Sequence, residues 1–117
     1  MATIILTLPY PVSVNRIWRG SGKRVYRSPE YEAWIAQAGL QWMIQRPSQP
    51  KTIKGSYTLR IVPNRPDKRR RDLGNLEKVV SDFLQSAGIV EDDCLAERIL
   101  LEWGPAGDGV LVEVSSV

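Results

Sequence analysis

The sequence predicts a small α/β (α+β) domain: a mixed β-sheet with two packed helices, in the order β-α-β-α-β-β. Three observations predict it. Short runs rich in Ile, Val and Thr alternate as strands do, and two longer stretches repeat apolar residues at helical spacing behind capping residues. Proline and glycine punctuate the joins between them. A chain of 117 residues fits one domain, 1–117, large enough to bury a core without disulfide or zinc support.

Ala2 to Leu8 reads as the first strand, stopped by Pro9 and Pro11. Pro9 to Arg27 is expected to be a long basic loop containing Asn15, Arg16, Trp18, Arg19, Lys23, Arg24 and Arg27. A loop of that length in a small domain is usually functional or disordered. Trp18 within it reads equally well as a stacking platform for an unpaired base and as a residue packed back on the domain. The first helix starts after Ser28, an N-cap, with Pro29 in the first helical position and Glu30 at the positive end of the dipole. Tyr31, Trp34, Ile35, Ala38 and Trp42 give it one apolar face, and Pro47 and Pro50 end it.

Ser56 to Val62 alternates as a second strand, closed by Pro63, Asn64 and Pro66. The next helix buries Leu73, Leu76, Val80, Phe83 and Ala87, with Gly88 as its C-terminal cap. Leu95 to Trp103 and Gly109 to Val114 are expected as the last two strands, joined as a hairpin through Gly104 to Gly109.

Composition removes several classes of chemistry. The chain has no histidine and one cysteine, Cys94. Internal disulfides, Cys/His zinc clusters and His-activated serine or cysteine nucleophiles are therefore excluded. Hydrolysis would have to use carboxylates, lysine, hydroxyls or a bound metal. No apolar run reaches membrane-spanning length and no secretory pattern is visible, so the expected location is cytoplasmic, with no membrane partner. The net charge of +3 is modest, but much of it sits in Arg16 to Arg27 and in Arg65 to Arg71, where acids are sparse. Clustered cations of this kind suit a polyanion.

The stretch Asp67-Lys68-Arg69-Arg70-Arg71-Asp72-Leu73-Gly74-Asn75-Leu76-Glu77-Lys78 carries the chemistry. It is a basic loop feeding a helix start, with Asp72 at the N-cap position. At about 100° per residue, Asn75, Lys78 and Asp82 share a stripe away from the apolar face. Phosphodiester cleavage needs this mixture: carboxylates for a divalent cation, a lysine to offset charge on the phosphate, and arginines to grip the backbone. Asp72 reads evenly as a plain cap and as a metal ligand. A second acidic spot, Glu91-Asp92-Asp93, precedes the third strand and reads as a polar turn or as the other half of a metal site.

Together these residues resemble the RusA family of Holliday-junction resolvases over nearly the whole chain. The likeness includes Leu8-Pro9-Tyr10-Pro11 with Ser13, Asn15 and Arg16. It includes Pro66 to Leu73, then Asn75-Leu76, Lys78 and Asp82, and finally Ala87-Gly88-Ile89-Val90 followed by Asp92-Asp93. The resemblance implies a magnesium-dependent site of three aspartates and a lysine. By position, Asp72, Lys78 and Asp93 match catalytic residues, with Asp72 and Asp93 as metal ligands and Asp92 as an added candidate. The middle aspartate falls on Gly74, which has no side chain. Water, Asp92 or Asp82 would have to fill that place; Glu77 projects elsewhere. Otherwise the protein binds branched DNA with weak cleavage or none.

The DNA contacts expected are Arg16, Arg65, Lys68, Arg69, Arg70, Arg71 and Asn75. The implied cofactor is Mg2+, with Mn2+ as a substitute. The implied partners are four-way DNA junctions and a second copy of the chain, because two matched cuts suit a two-fold homodimer. A reading from another class, a basic scaffold for RNA or protein, would show no preference for a junction over a linear duplex.

Overall fold

The computed structural model describes residues 2–117. Its strands are β1 (Thr3–Leu8), β2 (Trp18–Ser21), β3 (Arg24–Arg27), β4 (Tyr57–Pro63), β5 (Ala96–Leu101) and β6 (Val110–Ser116); its helices are α1 (Pro29–Gln45) and α2 (Glu77–Ser86). Short 3-10 turns lie at Val14–Arg16, Leu73–Leu76 and Asp93–Leu95.

A mixed four-stranded sheet in the order β1-β6-β4-β5 forms the frame. β6 is antiparallel to both β1 and β4, while β4 and β5 run parallel. β6 alternates over Val110–Val114, and β4 alternates from Tyr57 to Ile61 before Val62 and Pro63 are buried as well. Tyr57, Leu59 and Ile61 of β4 and Val110, Val112 and Val114 of β6 are buried. The mixed sheet and two helices agree with the expected fold class.

α1 starts as its sequence predicts. The Ser28 hydroxyl accepts from Tyr31 N at 3.1 Å and donates to the Arg16 carbonyl at 2.6 Å, so one buried side chain ties the basic segment to the helix. Tyr31, Trp34, Ala38 and Trp42 face the core; Ile35 is half-buried. Trp34 meets Phe83 of α2 edge-on, with centroids 5.8 Å apart and rings at 84°, a contact worth about 0.5–1.5 kcal/mol beyond buried area. At the C-terminal end of α1, Gln45 accepts from Thr7 N at 2.7 Å and donates to Thr7 O at 2.6 Å, occupying the open edge of β1.

Three expectations need correction. The segment Pro9 to Arg27 is not all loop, because β2 and β3 form a separate antiparallel hairpin within it. A Cβ on Gly20 (φ +96°) would lie 2.0 Å from the Arg24 carbonyl oxygen, so the strands close only around glycine. Both strands are wholly exposed, leaving no buried face to announce them. Trp18, 55% exposed, does not pack back on the domain.

The last two strands are not a hairpin either. β6 inserts between β1 and β4, and β5 lies on the far edge of β4. The loop after β5 instead wraps the end of β4, with Gly104 N donating to Pro63 O and Asn64 N to Gly109 O. β6 carries the buried valines and takes the central place, while β5 is mostly exposed and takes the edge.

Finally, α2 begins at Glu77, four residues later than its apolar stripe suggests, because Leu73–Leu76 is a 3-10 turn. Its buried residues are Val79, Val80, Ser81, Phe83 and Leu84, with Leu76 just before; Leu73 and Ala87 are only half-buried. Gly88 takes φ +74° beyond the helix end, as a C-terminal cap does.

Candidate nucleic-acid interface and acidic sites

The basic run after β4 is organised by one acid. Asp67 accepts from Arg69 N at 3.0 Å, from Arg69 Nε at 3.1 Å and from Arg71 Nη2 at 2.7 Å. The bond from Arg71, then those from Arg69, hold the Asp67 carboxyl far below the usual carboxylate range. Arg71 in turn lies over the Tyr10 ring at 5.5 Å. The guanidinium groups are thereby oriented before any ligand arrives. Arg69 remains 77% exposed at its side chain, and among the described residues Lys68, Arg70 and Arg16 form no ion pair. Sequence reasoning assigned Asp67 no role; only its spacing of two and four residues to Arg69 and Arg71 hints at the clasp.

This arm delivers Asp72 to the 3-10 turn. Its carboxylate accepts from Gly74 N at 3.2 Å, and its carbonyl accepts from Asn75 N at 3.1 Å. Asp72 is therefore a cap, though of the 3-10 turn rather than of α2. It also lines an open cleft with Asn15, Arg16, Arg71 and Asn75. The cleft gathers two cations (Arg16, Arg71), two amides (Asn15, Asn75) and two acids (Asp72, Glu30). Arg65 stands apart from it, stacked on Trp103 at 4.7 Å and bridged to Ala106.

The second acidic group surrounds a different cleft, lined by Asp82, Asp92 and Asp93 together with Arg27, Tyr31 and Gln85. Asp92 caps the turn Asp93–Leu95 by accepting from Cys94 N at 2.9 Å, which lowers its pKa. A separate side-chain hydrogen bond to the Asp92 carboxylate pushes the exposed Cys94 thiol up. Gln85 of α2 accepts from Asp93 N at 2.9 Å and fixes the turn against the helix. Lys78 donates to Asp82 at 3.0 Å one helical turn away; that bond, reinforced by the charges of Asp82 and Asp93, raises the lysine pKa.

The single chain thus brings Asp72 together with Arg16, Arg71 and Asn75, and Asp93 together with Asp82 and Asp92 near Lys78. It places Asp72 and Asp93 in separate clefts. Among the described residues, no group of three or more acidic or thiol side chains is arranged around one point to hold a cation. Also among the described residues, no helix is long and apolar enough to cross a membrane.

Comparison with known proteins bears on this arrangement. The family described as Endodeoxyribonuclease RusA matches residues 9–115. The crossover junction endodeoxyribonuclease of Enterobacteria phage HK97 is 35% identical over 86 residues, 74% of this chain and 70% of that protein. The enzyme of the same name from Escherichia coli strain K12 is 36% identical over 93 residues, 80% of this chain and 76% of that protein. That of Enterobacteria phage 82 is 36% identical over 102 residues, with the same two coverages.

Proposed function

This chain belongs to the RusA endodeoxyribonuclease family, and from that premise we propose that it is a structure-selective endonuclease resolving Holliday junctions and other branched DNA by metal-dependent phosphodiester hydrolysis. The observation that carries the reading is the Asp67 clasp: it orients the Arg71 guanidinium beside the carboxylate of Asp72 in one cleft, which Arg16 also lines. A phosphate gripped there lies next to an oxygen donor for a cation.

The donor set suits magnesium, with manganese as a substitute. The chain offers carboxylate oxygens and no histidine. Magnesium commonly binds through one or two carboxylates and completes its shell with water and phosphate oxygens. Asp93 would hold it in one cleft, with Asp92 and Asp82 beside it, and Asp72 would offer its carboxylate in the other. When bound, the cation polarises the phosphate and lowers the pKa of a coordinated water. Lys78, its pKa raised by Asp82, stays protonated at neutral pH to offset charge developing on the phosphate. Arg16, Arg65, Lys68, Arg69, Arg70, Arg71 and Asn75 would contact the DNA backbone, and exposed Trp18 would stack on an unpaired base. Two copies related by a two-fold axis would supply the two matched cuts, and the cytoplasm is the proposed location.

Gly74 favours a second reading. It stands where the family resemblance implies an aspartate, so the chain would bind junctions yet cut them slowly or not at all. One gel separates the two readings: a synthetic four-way junction and a linear duplex of the same sequence, each with magnesium and with EDTA. Paired magnesium-dependent nicks near the crossover support the nuclease. Selective junction binding without nicks supports the binder, and equal binding of both substrates refutes both.

A further inference from the structure

The β2–β3 hairpin buries no residue of either strand. A two-stranded ribbon on its own is marginally stable in water, so this one is held from its base. Ile17, just before β2, is buried. Ser28 N donates to the Ile17 carbonyl at 2.9 Å, and the Ser28 hydroxyl donates to the Arg16 carbonyl at 2.6 Å. Arg19 pairs with Glu30 at 3.4 Å and Arg27 with Glu32 at 3.7 Å, both acids in the first turn of α1. From this anchored base the ribbon carries Trp18, 55% exposed, and Tyr26, 57% exposed, with Val25 between the strands' ends equally bare. Apolar side chains grouped on an exposed projection mark an interaction site.

The register sets where the two rings point. Trp18 lies opposite Arg27, and Arg19 lies opposite Tyr26. Cross-strand partners share a face and successive residues alternate. Trp18 and Tyr26 are therefore on opposite faces of one ribbon. The segment 16–27 also carries Arg16, Arg19, Lys23, Arg24 and Arg27 and no acid. Among the described residues, Arg16, Lys23 and Arg24 form no ion pair. Aromatic platforms flanked by free cations suit a single DNA strand, because the rings stack on any base and the cations follow the backbone. The position of the ribbon fits as well. Trp18 lines a cleft with Asn15, Arg16, Arg19 and Glu30, and Asn15, Arg16 and Glu30 also line the Asp72 cleft. A backbone gripped beside Asp72 and Arg71 thus continues past Arg16 to Trp18.

We propose that the β2–β3 hairpin is a wedge for unpaired DNA. It enters between two strands at a branch point: Trp18 stacks on a base of the strand that runs into the Asp72 cleft, and Tyr26 stacks on a base of the strand on the other side. The inference rests on the branched-DNA reading and extends its single stacking residue to a two-faced ribbon that keeps strands apart.

The test uses the full chain in EDTA, so that binding is read without cutting. The wild type is compared with Trp18→Ala, Tyr26→Ala, the double variant and Trp18→Phe on three probes: a short thymidine oligonucleotide, a four-way junction and a linear duplex of matched sequence. Each alanine variant is expected to keep the wild-type melting temperature, since the side chain it loses is exposed. Each is expected to weaken junction binding about fivefold or more, and to leave duplex binding, which rests on backbone contacts, within about twofold. The two losses are expected to multiply in the double variant, because the rings engage different strands. Trp18→Phe keeps a stacking ring and is expected to bind the oligonucleotide, while most of the tryptophan quenching that accompanies binding in the wild type disappears.

Wild-type junction binding by either alanine variant would overturn the proposal. So would an equal loss on junction and duplex, which would make the hairpin a general backbone contact. A double variant no weaker than the worse single one would put both rings on one base and end the two-faced wedge. Should the alanine variants fold poorly, unchanged quenching in Trp18→Phe rules out Trp18 as a platform. The nuclease reading fails separately, on the absence of nicks in magnesium, which leaves these binding measurements untouched. A wild type that binds junction and duplex equally sinks the branched-DNA reading, and the oligonucleotide quenching then still decides whether the ribbon takes unpaired bases.

Discussion

Asp72 accepts a hydrogen bond from Gly74 N at 3.2 Å, and a Cβ built on Gly74 would lie 3.6 Å from the same Asp72 Oδ1. That is ordinary van der Waals contact, and the backbone at Gly74 is not in the left-handed region. The position accepts a side chain, and it directs that side chain at the acid. Gly74→Asp is therefore expected to fold, with stability changed by no more than about 0.5 kcal/mol, as for ordinary surface substitutions. It is expected to raise magnesium-dependent junction cleavage by on the order of tenfold. An unchanged rate in a single-turnover assay would mean that the absent carboxylate is not what limits cutting.

The Asp67 clasp has a pH signature. Its folded pKa lies below the ordinary 3.8, so the stabilisation it brings is fully present above that value. It is lost as the pH falls toward the folded pKa, while the arginines stay charged throughout. Asp67→Asn should accordingly loosen the arm at neutral pH, seen as faster amide exchange at Arg69 and weaker junction binding. Equal exchange in the two proteins would show that the clasp organises nothing.

Lys68 and Arg70 form no ion pair among the described residues, so either is free to meet a phosphate. Replacing each by alanine should weaken junction binding uniformly across sequences and reduce the salt-dependence slope by about one per lost contact. A slope unchanged in the double variant would place the DNA elsewhere.

Ser28 joins α1 to the segment carrying Arg16. Ser28→Ala removes the bond to Tyr31 N and leaves the Arg16 carbonyl without its donor. The expected cost is about 1–2 kcal/mol, a fall of several degrees in melting temperature for a domain of this size.

Much of this arrangement was legible in the sequence. Ser28-Pro29 with the Tyr31/Trp34/Ala38/Trp42 repeat located α1, and the alternation of Tyr57, Leu59 and Ile61 located β4, because both patterns record a buried face. The β2–β3 hairpin left no such record, since all of its residues are exposed. The partners of β5 and β6 depend on contacts far apart in the chain, which no local turn signal reports.

The division of the acids into two clefts was hidden for a geometric reason. Counting from Asp72 at about 100° per residue assumes one continuous α-helix, whereas a 3-10 turn advances about 120° per residue. The phase of Asp72 relative to Asp82 therefore cannot be read from the wheel. Asp67 looked like a stray acid in a basic run, because its clasp does not follow from spacing.

The most direct measurement is junction cleavage by the wild type, Asp72→Asn and Asp93→Asn in magnesium, with junction binding followed in parallel. The expected result is paired nicks by the wild type that EDTA stops, and loss of cutting in each variant with binding retained. Wild-type cutting by both variants would contradict the assignment of these two carboxylates to the reaction.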